Sequence, residues 1–238
     1  ILINIVEPAD MSGENLYPEI AALLFSYSSK PLLLQANGEK DLKRIIRMAE
    51  LFAGGKEELR QHPVFMTGTN AEPPLSITKA GTEVLIGAAR AGVPVAIGAY
   101  LMAGATGPVN LAASIAQRTA TVLCGLVLTQ AARPGSSYLL SSPSGQRDLR
   151  TGDVVTMSPQ TMLLIAGSMQ MGQHYGLLIK SLSATEAKAP GAQASGERFF
   201  SLAVAIMAGA NLVHGTTSEM SGMELADFAQ CVIDNEIA

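Results

Sequence analysis

A chain of 238 residues, 48% of them hydrophobic and only 15% charged, holds enough apolar sequence for a large core, and a net charge of -4 argues against a nucleic-acid partner. Its 16 Lys and Arg form no stripe, and Cys124 and Cys231 are too few for a disulfide framework or a metal site. Two lone thiols fit a reducing cytoplasm.

In chain order, the amino-terminal run ILINIV is strand-like and lacks an initiating Met and a signal-peptide pattern, while DNEIA closes the chain on a helical pattern. Both ends read as cuts within a longer protein. Strand-like apolar runs recur at Leu2–Val6, Leu32–Gln35, Val64–Met66, Val93–Ile97, Tyr138–Ser141, Leu177–Lys180 and Leu212–Val213. Helical periods separate them. Between Asp41 and Phe52, for example, Leu42, Ile45, Ile46, Ala49 and Phe52 share one face.

The longest uncharged run, Ala91 to Gln117, has the length of a bilayer span. Pro94, Gly98, Gly104, Gly107, Pro108 and Asn110 interrupt it, and no Lys/Arg cluster flanks it. No membrane is expected. The run divides instead into a buried strand at Val93–Ile97, a loop from Gly98 to Gly107 and a helix from Pro108 to Ala132, which offers a face for a homo-oligomer contact. Ser158-Pro159 marks another helix start, and the last helix is expected from Gly222 to Ile237.

Alternation of strands and helices predicts an α/β fold with a parallel sheet. A doubly wound sheet could hold such a set. Loops rich in Gly, Asn, Ser and Thr after each strand favour a (β/α)8 TIM-barrel type, incomplete at about seven βα units, with residues 1–238 as one barrel domain. An internal repeat supports the unit structure: AGVPVAIG at Ala91 and AGANLVHG at Ala208 match as A-G-x-x-apolar-x-x-G. The first Gly suits a left-handed helix end, and the second suits the break of a strand into its loop. His214 stands where the first copy has Ile97.

Barrel sites lie at the carboxyl ends of the strands, which sorts the polar residues. His62 and His174 precede strands, whereas His214 ends one. The same sorting selects Asn37, Thr69, Asn70, Tyr100, Ser142, Ser183, Glu186, Lys188 and Glu219. Hydrolase elbows, Walker loops and H-E-x-x-H motifs are missing from the sequence. The Gly104 to Gly107 turn could hold an anion on the amides of Ala105, Thr106 and Gly107. The stretch from Gly145 to Asp153 reads either as a solvated loop with Arg147, Asp148, Arg150 and Asp153 paired among themselves or as a docking loop.

Five segments, in order, resemble the trimethylamine methyltransferase family: GATGPVNLAASIAQRTATVLCGLVLTQAARPGSS from Gly104, RDLRTGD from Arg147, ATEAKAPGAQ from Ala184, AGANLVHG from Ala208 and DNEI from Asp234. The resemblance covers roughly the last 150 residues well and the first part in pattern. It implies a barrel inside a longer chain. It also implies methyl transfer from a cationic amine to the Co(I) corrinoid of a separate carrier protein, with no corrinoid bound tightly by this chain. The sequence holds only standard residues, so the resemblance is to the branch without pyrrolysine, for which a quaternary amine such as glycine betaine is the natural substrate.

On this reading His214, Glu186 and Glu219 are the catalytic candidates, and Asn70, Tyr100, Ala105, Thr106, Gly107 and Lys188 are the substrate-binding candidates. A cationic head calls for an aromatic face and carboxylates, while a betaine carboxylate calls for donors from His214, Lys188 or the Ala105–Gly107 amides. Two alternatives remain. One is a non-catalytic barrel that binds methylated amines or a carrier protein. The other is an unrelated barrel enzyme with Lys188 as a Schiff-base residue.

Overall fold

A computed structural model describes residues 2–3, 13, 15–215 and 217–238. The elements run β1 (Leu2–Ile3), α1 (Leu16–Tyr27), β2 (Leu32–Leu34), α2 (Glu39–Ala53), α3 (Lys56–Gln61), β3 (Phe65–Ala71), α4 (Lys79–Ala91), β4 (Val95–Ala99), β5 (Leu101–Ala103), α5 (Leu111–Ala132), β6 (Tyr138–Ser141), β7 (Ser144–Arg147) and β8 (Val154–Val155). They continue with α6 (Pro159–His174), β9 (Leu178–Leu182), α7 (Ala192–Met207), β10 (Leu212–His214), β11 (Glu219–Met220), a short turn at Ser221–Met223, β12 (Leu225–Ala226) and α8 (Phe228–Ile237).

Seven strands form one sheet in the order β1-β2-β3-β4-β6-β9-β10. β1 with β2, β2 with β3 and β9 with β10 pair in parallel. The order never reverses along the chain, which distinguishes this sheet from a doubly wound one, where it does. Each expected strand run carries a strand, and β2 and β6 are buried throughout, which is why they read as unbroken apolar runs. The expected strand at Leu2–Val6 is described only for Leu2–Ile3; its remainder lies outside the described residues.

The chain divides into two compact units. The first comprises residues 1–71, 76–98 and 122–139. Phe25 packs edge-on against Phe65, with ring centres 6.2 Å apart, and Leu42, Ile45, Leu59, Val84 and Leu85 are buried with them. Thr78 caps α4 by accepting from the Gly81 amide, and Gly92 ends it at a φ of 85°, as the repeat predicts. Gly98, the second Gly of that copy, stays inside β4, whereas its counterpart Gly215 leaves β10 at a φ of 67°.

The second unit comprises residues 72–75, 99–121 and 140–238. Met162, Ile165, Met169, Ile179 and Ala205 form a buried cluster joined by Val213. Because strand side chains alternate, Ile179 and Val213 face α6 and α7 while Lys180 and His214 face the opposite side of the sheet. Ser158 caps α6 by accepting from the Thr161 amide, as expected from Ser-Pro at its start.

Three sequence expectations shift. The Gly98 to Gly107 loop contains β5, paired in parallel with β7. The next helix starts at Leu111 because the Asn110 carboxamide accepts from the Ala113 amide, 3.1 Å away. The final helix starts at Phe228, capped by Asp227, rather than at Gly222. Ser218, Ser221 and Gly222 take φ values of 63°, 50° and 65°, which no helix accommodates, and the chain makes the β11–β12 hairpin instead.

By length and composition α5 could cross a membrane. Its Arg118, however, is 2% exposed and donates to the carbonyls of Ala99 and Ser141, where β4 and β6 end. A charge tied to two strand ends packs that part of α5 against the sheet. Arg118→Met should therefore cost about 3 kcal/mol, as two buried carbonyls lose charged donors. Urea unfolding of the wild type and the variant measures the difference.

Candidate functional site

The polar groups of the second unit gather around the ends of β9 and β10 and the loops that follow. Lys180, in the middle of β9, is 7% exposed. Its ammonium lies 3.1 Å from His214 Nε2 and 3.4 Å from Ser141 Oγ. His214, the last residue of β10, places Nδ1 2.6 Å from the Ser181 carbonyl. A carbonyl only accepts, so Nδ1 carries the proton and Nε2 accepts from Lys180. Burial, and then the Lys180 charge, push the His214 pKa down to about 3. Burial likewise pushes Lys180 down to about 8, against the attraction of Glu219.

Glu219 opens the β11–β12 hairpin. Its Oε2 is buried without a hydrogen-bond partner among the described residues. Burial raises its pKa, and the nearby charges of Arg198 and Lys180 oppose the rise. The hairpin is held from below by Arg198 of α7, whose guanidinium donates to the carbonyls of Ser183, Gly215 and Glu219. Arg198 Nε is 3.2 Å from Asp234 Oδ2 of α8, and both side chains are fully buried. Asp234 in turn accepts from the Ser218 amide and the Gln230 side chain.

Glu186 follows β9 on a loop. Its Oε1 accepts from the amides of Thr156 and Met157, at 2.5 and 3.2 Å, and from the Thr156 hydroxyl. Tyr100, next to the end of β4, has its pKa pushed up to about 12 by burial and by the Glu186 charge. The Glu186 loop and the hairpin are stitched together by Ser221 N–H to the Ala187 carbonyl and Gly222 N–H to the Thr185 carbonyl.

His214, Glu219, Glu186 and Tyr100 thus share the second unit, and the other sequence candidates fare differently. The amides of Ala105, Thr106 and Gly107 all donate to the Met102 carbonyl at 3.0–3.1 Å, so that turn closes on itself and leaves no free donor for an anion. Lys188 is exposed, which removes the desolvation that a Schiff-base amine needs. Asn70 ends just short of the close of β3, exposed, in the first unit. His214 offers no free donor to a carboxylate, since one ring nitrogen is engaged with Ser181 and the other accepts from Lys180. The charged stretch from Gly145 to Asp153 holds an Arg150–Asp148 ion pair at 3.3 Å on the β7–β8 hairpin, in line with the solvated-loop reading.

Sequence reasoning missed Lys180, Arg198 and Arg118. Their one signal is a lone cation inside an apolar strand or helix pattern, LLIKSL for Lys180.

The model of the trimethylamine methyltransferase (MTTB) family matches residues 3–238. The chain belongs to the trimethylamine methyltransferase family. Trimethylamine methyltransferase MttB of Desulfitobacterium hafniense (strain DSM 10664 / DCB-2) is 31% identical over 98% of this chain and 47% of that protein. The glycine betaine methyltransferase of Desulfitobacterium hafniense (strain Y51) is 28% identical over 99% of this chain and 49% of its own length. The MttB of Methanosarcina thermophila is 34% identical over 78% and 38%. The chain spans about half the length of these trimethylamine methyltransferase family relatives, or less. Among solved structures, Yersinia pestis DHPS aligns with a TM-score of 0.54 at 13% identity, over 97% of this chain and 80% of that one. The 7,8-dihydropteroate synthase of Vibrio fischeri aligns with a TM-score of 0.51. The likeness concerns the fold alone, and it supports the incomplete TIM-barrel type read from the sequence for this member of the trimethylamine methyltransferase family.

Proposed function

We propose that the protein containing this chain transfers a methyl group from a quaternary or tertiary methylated amine to the Co(I) corrinoid of a separate carrier protein. The observation that carries this reading is the Glu219 Oε2 atom, buried and without a donor among the described residues. A quaternary ammonium has no N–H, so it suits an anionic oxygen that makes no hydrogen bond and attracts by charge alone. Tyr100 supplies an aromatic face for the same cation, and Glu186, fixed by Thr156 and Met157, adds a second carboxylate.

A corrinoid brought by the carrier protein would supply the nucleophile that accepts the methyl group, with a neutral amine as the leaving group. This chain has only to align the methyl group, a task of position rather than of acid–base chemistry. His214, neutral above about pH 3, fits that division of labour because it positions Lys180 and moves no proton. The carrier protein is the expected partner, and the two free thiols favour the cytoplasm.

Full-length protein mixed with reduced cobalamin and glycine betaine should form methylcobalamin. Intact, folded protein that transfers no methyl group from any of a panel of methylated amines would overturn the reading. Heat of binding without transfer would make the protein a non-catalytic receptor for these amines.

A further inference from the structure

We propose that Lys180 reads an anionic group on the substrate, which makes the site selective for a zwitterionic betaine over an amine with a cationic head alone. The inference rests on the function proposed above and adds a specificity-determining residue to it. An ammonium has three N–H donors. Among the described residues that of Lys180 bonds only Ser141 Oγ and His214 Nε2, so one donor is left over in a buried place. The natural counter-ion, Glu219, attracts it through space, yet Glu219 Oε2 receives no hydrogen bond from it or from any other described group.

Among the described residues the site therefore leaves unfilled a donor on a cation and an acceptor on an anion. Neither satisfies the other. A molecule with a carboxylate and a quaternary nitrogen on one short skeleton satisfies both at once: its carboxylate takes the third Lys180 proton, and its nitrogen faces Glu219. A cation with no carboxylate would meet Glu219 but would also meet the Lys180 charge.

His214 is what makes this arrangement work. With its proton held on Nδ1 by the Ser181 carbonyl, Nε2 is a fixed acceptor that aims the ammonium without competing for the substrate's oxygens. Burial, which depresses the Lys180 pKa to about 8, marks a charge short of partners, and a bound carboxylate would raise it again. Of the other carboxylate donors that the sequence offers, the Ala105–Gly107 amides are engaged with the Met102 carbonyl and Lys188 is exposed, away from the desolvation that holds Lys180.

The test is calorimetry of glycine betaine and choline, which share a trimethylammonium head and differ in carboxylate against hydroxymethyl, on full-length wild type, K180M and K180R. The wild type should prefer glycine betaine. K180M should lose about 10- to 100-fold in betaine affinity, the range of one hydrogen bond between charged groups. Choline should bind K180M as well as the wild type or better, because a repelling cation is gone. K180R should retain the preference for betaine. An equal fall for both ligands in K180M, or unchanged betaine affinity, overturns the assignment of Lys180 and leaves the proposed methyl transfer standing. Wild-type protein that binds neither ligand overturns both.

Discussion

Arg198→Ala is expected to lower the unfolding free energy by about 4 kcal/mol. The guanidinium and the Asp234 carboxylate are both fully buried and 3.2 Å apart. Removing the cation leaves a carboxylate in the interior with, among the described residues, the Ser218 amide and the Gln230 side chain to stabilise it. It also strips the donor from the carbonyls of Ser183, Gly215 and Glu219. The hairpin that carries Glu219 would lose its anchor together with the fold. Urea denaturation measures the change, and the double variant Arg198→Met with Asp234→Leu separates the causes. A pair whose desolvation nearly cancels its attraction can be replaced by apolar groups at small cost. The double variant should recover at least half of the loss; a double variant no better than Arg198→Ala would assign the cost to the carbonyls instead of to the stranded charge.

This clamp gives physical content to two segments of the family resemblance that look unrelated in sequence. AGANLVHG ends on His214 and Gly215, whose carbonyl Arg198 holds, and DNEI begins on Asp234, which holds Arg198. The strands of the seven-stranded sheet were legible as apolar runs, β2 and β6 through burial along their whole length, and His214 and Glu219 could be found from their place after a strand. Lys180 could not. Its strand reads LLIKSL, and alternation says only that Ile179 and Lys180 face opposite sides; that the side away from α6 and α7 is polar emerges from Ser141 on β6 and His214 on β10, which are distant in sequence. The β11–β12 hairpin was hidden for a related reason. Met220, Met223, Leu225 and Phe228 carry an apolar rhythm that passes for a helix, and the positive φ of Ser218 and Ser221 has no glycine to announce it. The turn from Gly104 to Gly107 misled in the other direction: its amides face a carbonyl of their own chain at Met102, a closure that spacing alone does not reveal.

Glu219→Gln should weaken the binding of a quaternary cation by about 30-fold, the loss expected when a buried charge that faces another is made neutral. Choline is the ligand of choice, because without a carboxylate it isolates the cation's half of the site. The same carboxylate sets a pH dependence whose sign follows from its burial. Desolvation raises the Glu219 pKa above its ordinary 4.5, so the group takes up its proton at a higher pH than a free carboxylate does. Choline affinity in the wild type should then fall on acidification from pH 7, with the decline beginning above pH 4.5. Lys180 stays an ammonium throughout this window, because its pKa is about 8, and His214 stays neutral, because its pKa is about 3. Tyr100, near 12, keeps its proton as well. The decline therefore reports on Glu219, and Glu219→Gln should flatten it. Calorimetric titrations between pH 4.5 and pH 7 on both proteins decide the matter. A variant that binds choline as tightly as the wild type, or that keeps the wild type's acid decline, would move the cation site away from Glu219 and toward Glu186 and Tyr100.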